Sequence, residues 1–317
     1  MYYYSIIIPV YNRPDEVGDL LYSLARQTNQ DFEVLVVEDG STIPCREIVA
    51  RYERKLNIHY YEIPNQGPSG ARNYGAKESA GDYLLILDSD CILPEIFVET
   101  IDRTLTKNPV DAFGGPDRSH ESFTPVQKAI SYSMTSFFTT GGIRGGKRKL
   151  DKFYPRSFNM GIRRDVFNKL NGFDTTMRYG EDVDFSMRIV RAGYKTQLIP
   201  DAYVYHKRRT SFCQFFRQVE HSGAARIILS KKYPGSMKLV HCLPAMFVIG
   251  VVVLLLLGIY STWLYVALLL YVFLIFIDAT VQNKGNIYIG VLSIIAAFTQ
   301  LFGYGIGFIK EKTKRNN

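Results

Sequence analysis

Two aspartates separated by one serine, Asp88 and Asp90, directly follow an apolar run, Tyr83 to Leu87. Carboxylates at the end of a buried strand are hard oxygen ligands. Together with phosphate oxygens they complete the shell of magnesium or manganese. A cation held there neutralises the charge of a departing nucleoside diphosphate. Such a triplet alone is common in surface turns, so its weight comes from its surroundings. Asn12 follows one earlier apolar run and Asp39 another, so three strand ends offer polar groups. Farther along, Glu181 and Asp182 open a helical segment, where acids also suit the helix macrodipole.

The elements that must position these groups alternate. Tyr4 to Val10, Phe32 to Val37, Ile58 to Ile63 and Tyr83 to Leu87 read as strands. Between them, Val17, Leu20, Leu21 and Leu24 have helical spacing, and Ile48 to Lys55 and Ser69 to Ser79 read as helices. Pro94 is expected to open another helix at its tolerated first position. Several strands are apolar on both faces, as in a mostly parallel, Rossmann-like sheet with helices on both faces. Ligands of such sheets bind beyond the strands' carboxyl ends, where the polar groups lie. Gly141 to Lys152 reads as a glycine-rich, basic loop that could close over a ligand. Asn159 to Gly172 reads as a short strand and helix, and Glu181 to Ala192 as a helix. Short strands follow near Gln197 and Tyr203, then a helix from Ser211 to about Lys232.

Set in order along the chain, several segments resemble the family 2 glycosyltransferases, with their GT-A fold. They are Ser5-Ile6-Ile7-Ile8-Pro9-Val10-Tyr11-Asn12-Arg13, Val36-Val37-Glu38-Asp39-Gly40-Ser41, Gly67-Pro68-Ser69-Gly70-Ala71-Arg72-Asn73 and Leu87-Asp88-Ser89-Asp90. Asn159-Met160-Gly161, Gly172-Phe173-Asp174 and Gly180-Glu181-Asp182-Val183-Asp184 complete the series. Each is weak alone; the ordered set, spanning roughly Ser5 to Lys232, is specific. The resemblance implies that Pro9, Tyr11, Asn12 and Arg13 line a nucleotide pocket and that Asp39 binds the base, often uracil. It implies that Arg72 lies near base and diphosphate, where a guanidinium satisfies phosphate oxygens. Asp88 would face ribose or metal, Asp90 would bind Mn2+ or Mg2+, and His206 would be a further metal ligand. Of the pair Glu181-Asp182, which belongs to the sugar-nucleotide site, the resemblance makes Asp182 the general base of an inverting displacement, and Asp184 is expected to be structural. The signature of processive synthases, QxxRW, is absent at Phe215-Phe216-Arg217-Gln218, which favours single additions.

Beyond about Leu239 the composition turns apolar. Leu239 to Tyr260, Trp263 to Ile277 and Ile287 to Ile309 are each apolar, and a bilayer crossing takes about 20 residues. The expected organisation is therefore residues 1–235 as a nucleotide-sugar domain and 236–317 as membrane-anchoring or interfacial helices. The third segment ends in a basic tail, Lys310 to Arg315, which belongs on the cytoplasmic side. A cytoplasmic catalytic domain and a cytoplasmic tail require an even number of crossings. The first two segments are thus expected to form a hairpin and the third to lie in the interface or re-enter, with three crossings the alternative.

The net charge is +8, and many of the basic residues fall in the later part of the chain, at Arg144 to Lys152, Lys207 to Arg209, Lys231-Lys232 and the tail, some of them beside apolar spans. That pattern fits anionic membrane lipids better than nucleic acid. Lys207 to Arg209 could serve a diphosphate or lipid headgroups. The four cysteines, Cys45, Cys91, Cys213 and Cys242, form no CxxC pair and point to a reducing compartment. Ser5 to Val10 has no basic residues before it and ends early at Pro9 and Asn12, so it is not a secretion signal. The expectation is a catalytic domain at the cytoplasmic face of the inner cell membrane. Its donor would be a nucleotide-diphosphate sugar and its acceptor a saccharide, lipid-linked or part of a cell-surface polysaccharide. A sugar nucleotidyltransferase would instead carry a glycine-rich basic loop after the first strand, and a non-catalytic nucleotide-sugar sensor could dispense with Asp182.

Overall fold

The computed structural model describes residues 2–141 and 153–314. Apart from Gly141, the loop expected over Gly141 to Lys152 lies outside the described residues. The chain packs as two compact units, Met1–His120 with Lys149–Lys207, and Glu121–Arg148 with Arg208–Asn317. Hydropathy divides the chain near 235; packing also draws earlier segments in with the apolar helices.

The first unit opens with β1 (Tyr4–Val10), α1 (Pro14–Leu24), β2 (Phe32–Asp39), α2 (Arg46–Ala50), β3 (Ile58–Ile63), α3 (Gly67–Glu78) and β4 (Tyr83–Leu87). β5 (Cys91–Ile92), α4 (Phe97–Lys107), β6 (Ala112–Gly114) and β7 (Asp117–Arg118) follow. The second unit contributes α5 (Pro125–Thr135) and α6 (Phe137–Thr140). The first unit resumes with β8 (Asn159–Arg163), α7 (Arg164–Lys169), α8 (Glu181–Arg191), β9 (Thr196–Leu198) and β10 (Val204–His206).

A seven-stranded sheet runs β3-β2-β1-β4-β8-β6-β9. Its first four strands are parallel, as their unbroken apolar runs imply, but β8 enters antiparallel to both β4 and β6. The sheet is therefore mixed. β1 and β2 are buried nearly throughout, packed on one face by Val17, Leu20, Leu21 and Leu24 of α1. Chain order reverses between β1 and β4, since β2 lies on one side of β1 and β4 on the other. Their pairing stops at Ile7↔Ile86, two residues before Pro9. Proline has no N–H to give a ladder, so β1 and β4 part here and leave a crevice at the switch point. A second sheet, β5-β10-β7, is built from the short segments after β4, β6 and β9.

Two sequence readings shift. Helix α4 starts at Phe97 rather than Pro94, because the Pro94 carbonyl closes a turn onto Phe97 N–H and accepts Gln27 Nε2 at 2.8 Å. Helix α2 stops at Ala50, and Arg51 to Leu56 continue as turns. β5, β6, β7, α5 and α6 carried no clear periodicity; all but α5 are two to four residues long.

The second unit continues with α9 (Phe212–Lys232), α10 (Leu239–Leu257), α11 (Leu264–Gln282) and α12 (Ile287–Thr313). The last three are long and apolar enough to cross a membrane. They are unequal. Within its most apolar window α12 is 44% buried inside the chain, against 6% for α10 and 11% for α11. Glycines explain the burial. A Cβ on Gly307 would sit 2.0 Å from the Glu220 carbonyl oxygen, and one on Gly223 would sit 2.1 Å from that of Tyr304. Helices α9 and α12 thus touch backbone to backbone, the small-residue contact that packs helices in lipid. Asp278, near the end of α11, is satisfied by Tyr132 Oη at 2.7 Å, Ser136 Oγ at 3.3 Å and Gln282 Nε2 at 3.0 Å. Gly307→Leu is expected to force these helices apart, at the upper end of the roughly 1–3 kcal/mol usual for overpacking. A lower melting temperature of detergent-extracted protein, with Gly250→Leu unaffected, checks it; a Gly250 Cβ would meet nothing within 4 Å.

Candidate active site

The candidate residues of the first unit gather at the crevice between β1 and β4. After β1 the chain turns through Asn12, which holds a left-handed φ of 54°, a conformation asparagine tolerates. Asn12 Oδ1 accepts Thr42 N–H at 2.8 Å and Ile43 N–H at 3.0 Å, so this side chain holds the loop after β2. Tyr11 is exposed and Pro9 half-buried. Asp39 is buried, and Oδ1 accepts Gln66 N–H at 2.7 Å, which ties the end of β2 to the start of α3. Glu38, which sequence reasoning passed over, anchors the same loop through Ser41 Oγ, Cys45 N–H and Tyr60 Oη.

Arg72 is the hub. It is 4% exposed. Nη1 donates to Glu181 Oε1 and Nη2 to Asp88 Oδ1, each at 3.0 Å. It therefore joins α3, the end of β4 and the start of α8. The Phe173 ring lies 5.3 Å from the guanidinium carbon. Asn73 fixes Phe173 by a reciprocal pair of hydrogen bonds to its backbone, both 2.8 Å. Gly172 must be glycine here, with φ 59° and its Cβ position 2.4 Å from Asn73 Oδ1. These contacts give the Gly-Phe-Asp and Ala-Arg-Asn segments a physical purpose: they set the guanidinium.

Asp90 is 8% exposed. Arg13, from the other side of the crevice, pairs with its Oδ2. Oδ1 lies 2.9 Å from His206 Nε2, and the same nitrogen is 4.0 Å from Asp88 Oδ2. Burial alone would raise the Asp90 carboxyl; His206 and Arg13 outweigh it and hold it well below the usual range. β10 delivers His206 opposite Cys91 in the antiparallel β5 pairing, and Phe158 stacks on its ring at 5.2 Å.

This cluster fits a divalent cation. Asp90 Oδ1 is buried and receives no hydrogen bond, although His206 Nε2 faces it at contact distance. An imidazole nitrogen and a buried carboxylate oxygen side by side can serve as two ligands of one cation. The Cys91 thiol joins them, with one ligand atom from each of the three within 4.8 Å of the others. Cys91 escaped the sequence reading because no ligand spacing marks it; cross-strand pairing brings it there.

Asp182 sits in the first turn of α8 after Gly180, which takes a left-handed φ of 76°. Oδ1 accepts Val183 N–H at 2.8 Å and Oδ2 accepts Arg156 Nε at 2.6 Å. Burial would raise this carboxyl too, but Arg156 and then Arg72 hold it below its ordinary value. Asp90 and Asp182 thus add stability above the ordinary carboxylate pKa of about 3.9, which is lost as pH falls through their lowered values. Arg156 was likewise absent from the sequence reading, since nothing in Tyr154-Pro155-Arg156-Ser157 marks it. Asp184 is fully buried and paired with Arg188 at 2.9 Å. Lys207 pairs with Asp19 rather than joining this cluster.

The model of the family described as "Glycosyl transferase family 2" matches residues 5–170. A glycosyltransferase of Haemophilus influenzae is 31% identical over 65% of this chain and 70% of its own length. One of Rickettsia bellii is 43% identical, over 27% of this chain and 12% of its own length. Among solved structures, mannosyltransferase PcManGT of Pyrobaculum calidifontis, in complex with GDP-Man and Mn2+, has a TM-score of 0.64 at 19% identity. The match covers 95% of this chain and 87% of that one. S. aureus TarS in complex with UDP has a TM-score of 0.53 at 21% identity, covering 75% and 68%. The structural likenesses show a shared GT-A fold. The matched family model, spanning more than half of the chain, makes it a member of the family 2 glycosyltransferases.

Proposed function

We propose that this glycosyltransferase moves one sugar, with inversion and with a divalent metal, from a nucleoside-diphosphate donor to a membrane-held saccharide at the cytoplasmic face. The observation that carries the reading is the meeting of Asp88, Asp90, His206, Glu181 and Asp182 around three guanidiniums, those of Arg13, Arg72 and Arg156, at the β1/β4 switch point. Asp39 keeps its second carboxylate oxygen for a base N–H, with uracil favoured; relatives bound to UDP and to GDP-Man span both choices. Asp88, Asp90 and His206 would hold the metal, with Cys91 beside them. Once bound, that metal supplies positive charge against the leaving diphosphate. An imidazole beside the carboxylates favours manganese over magnesium, which prefers an all-oxygen shell.

In the reaction the acceptor hydroxyl gives its proton to Asp182 as its oxygen attacks the anomeric carbon. The bond from that carbon to the diphosphate oxygen breaks, and its electron pair leaves on the nucleoside diphosphate. One displacement inverts the carbon. A membrane-held acceptor fits the three apolar helices of the second unit.

The experiment is release of nucleoside diphosphate from a panel of UDP- and GDP-sugars by full-length protein with membrane extract. Release from one donor class is expected, higher with Mn2+ than with Mg2+. Equal release with EDTA would contradict the metal assignment, and no release from any donor would contradict the function.

A further inference from the structure

Both oxygens of the proposed base are engaged, one by Val183 N–H and the other by Arg156 Nε. A carboxylate gripped by a guanidinium at 2.6 Å is a poorer proton acceptor, because the cation already stabilises its charged form. Arg156 is not locked there. Its side chain is 39% exposed, and among the described residues its two Nη atoms take no partner. The same guanidinium feels the charges of Glu181 and Asp88 as well as Asp182, so the base and one proposed metal carboxylate both act on it.

We infer that Arg156 is a diphosphate-binding residue that covers Asp182 until the donor is seated and then turns onto the phosphates, uncovering the base. This rests on the donor reading above. A diphosphate brings more negative charge than the one carboxylate, and a guanidinium binds two phosphate oxygens side by side. The exchange costs no cation, because the same arginine serves both partners in turn. It also couples base exposure to donor occupancy, so an acceptor arriving first meets a masked base.

The test is isothermal titration of full-length protein in detergent, at constant Mn2+, with UDP and UMP and with GDP and GMP. Variants are Arg156→Met, Arg156→Lys, Asp182→Asn and the Arg156→Met/Asp182→Asn double. Arg156→Met should weaken the bound nucleoside diphosphate about 10- to 100-fold, the loss of a charge-assisted bond, and change its monophosphate by less than about twofold. Arg156→Lys should fall between. Asp182→Asn frees the arginine and should tighten the diphosphate several-fold, a gain that disappears in the double variant. Equal effects on di- and monophosphate, or tightening that survives in the double, would overturn the inference while leaving the donor reading intact. Wild type binding neither UDP nor GDP would overturn both. The Asp182→Asn comparison holds even if Arg156→Met folds poorly.

Discussion

Asp182→Asn is expected to lower kcat by about a hundred- to ten-thousandfold, the usual worth of a positioned general base, while nucleotide binding persists. The amide keeps the shape of the carboxylate, and the start of α8 remains held by Arg72 through Glu181. What disappears is the ability to take a proton from the attacking hydroxyl. Single-turnover sugar transfer beside nucleotide titration separates the two effects. Near-wild-type transfer would assign the base elsewhere. Loss of nucleotide binding along with transfer would make Asp182 a structural residue.

Arg72→Met is the larger change for the fold. It removes a 4% exposed cation that joins Asp88 and Glu181, leaving two carboxylates facing a site they no longer neutralise. Breaking a buried pair by removing one partner costs about 3–5 kcal/mol. Asp88 keeps partial access to water, so the lower end applies. Arg72→Lys is expected to recover little, because one ammonium on a flexible stem does not span two carboxylates as a planar fork does. Chemical denaturation of both variants measures it. A loss under about 1 kcal/mol for Arg72→Met would mean that the bridge contributes nothing net.

The parallel half of the sheet was legible because β1, β2 and β4 are buried on both faces and read as unbroken apolar runs. The same runs end in Asn12, Asp39 and Asp88, so the rim of the site was legible with them. The antiparallel entry of β8 was not, since Asn159 to Arg163 has the same composition whichever way it runs. β5 and β7 are two residues long and exist through β10, a partner distant in sequence from both. Cys91 therefore reached His206 without any local signal. Arg156 is similar: a lone arginine after a proline looks like surface until α8 brings Asp182 to it. Asn12 and Asp39 were read as nucleotide contacts; the structure shows Asn12 holding the loop after β2 and Asp39 tying the end of β2 to the start of α3. The burial of α12 was hidden because its glycines look helix-breaking in isolation, whereas in the folded chain they permit close packing with α9.

Anomalous diffraction from crystals grown with UDP and MnCl2 tests the central claim most directly. The account places a manganese peak in bonding contact with Asp90 and His206, the diphosphate beside it, and Asp182 facing the sugar end of that diphosphate. Nucleotide bound with manganese elsewhere, or with Asp182 turned from the phosphates, would contradict it.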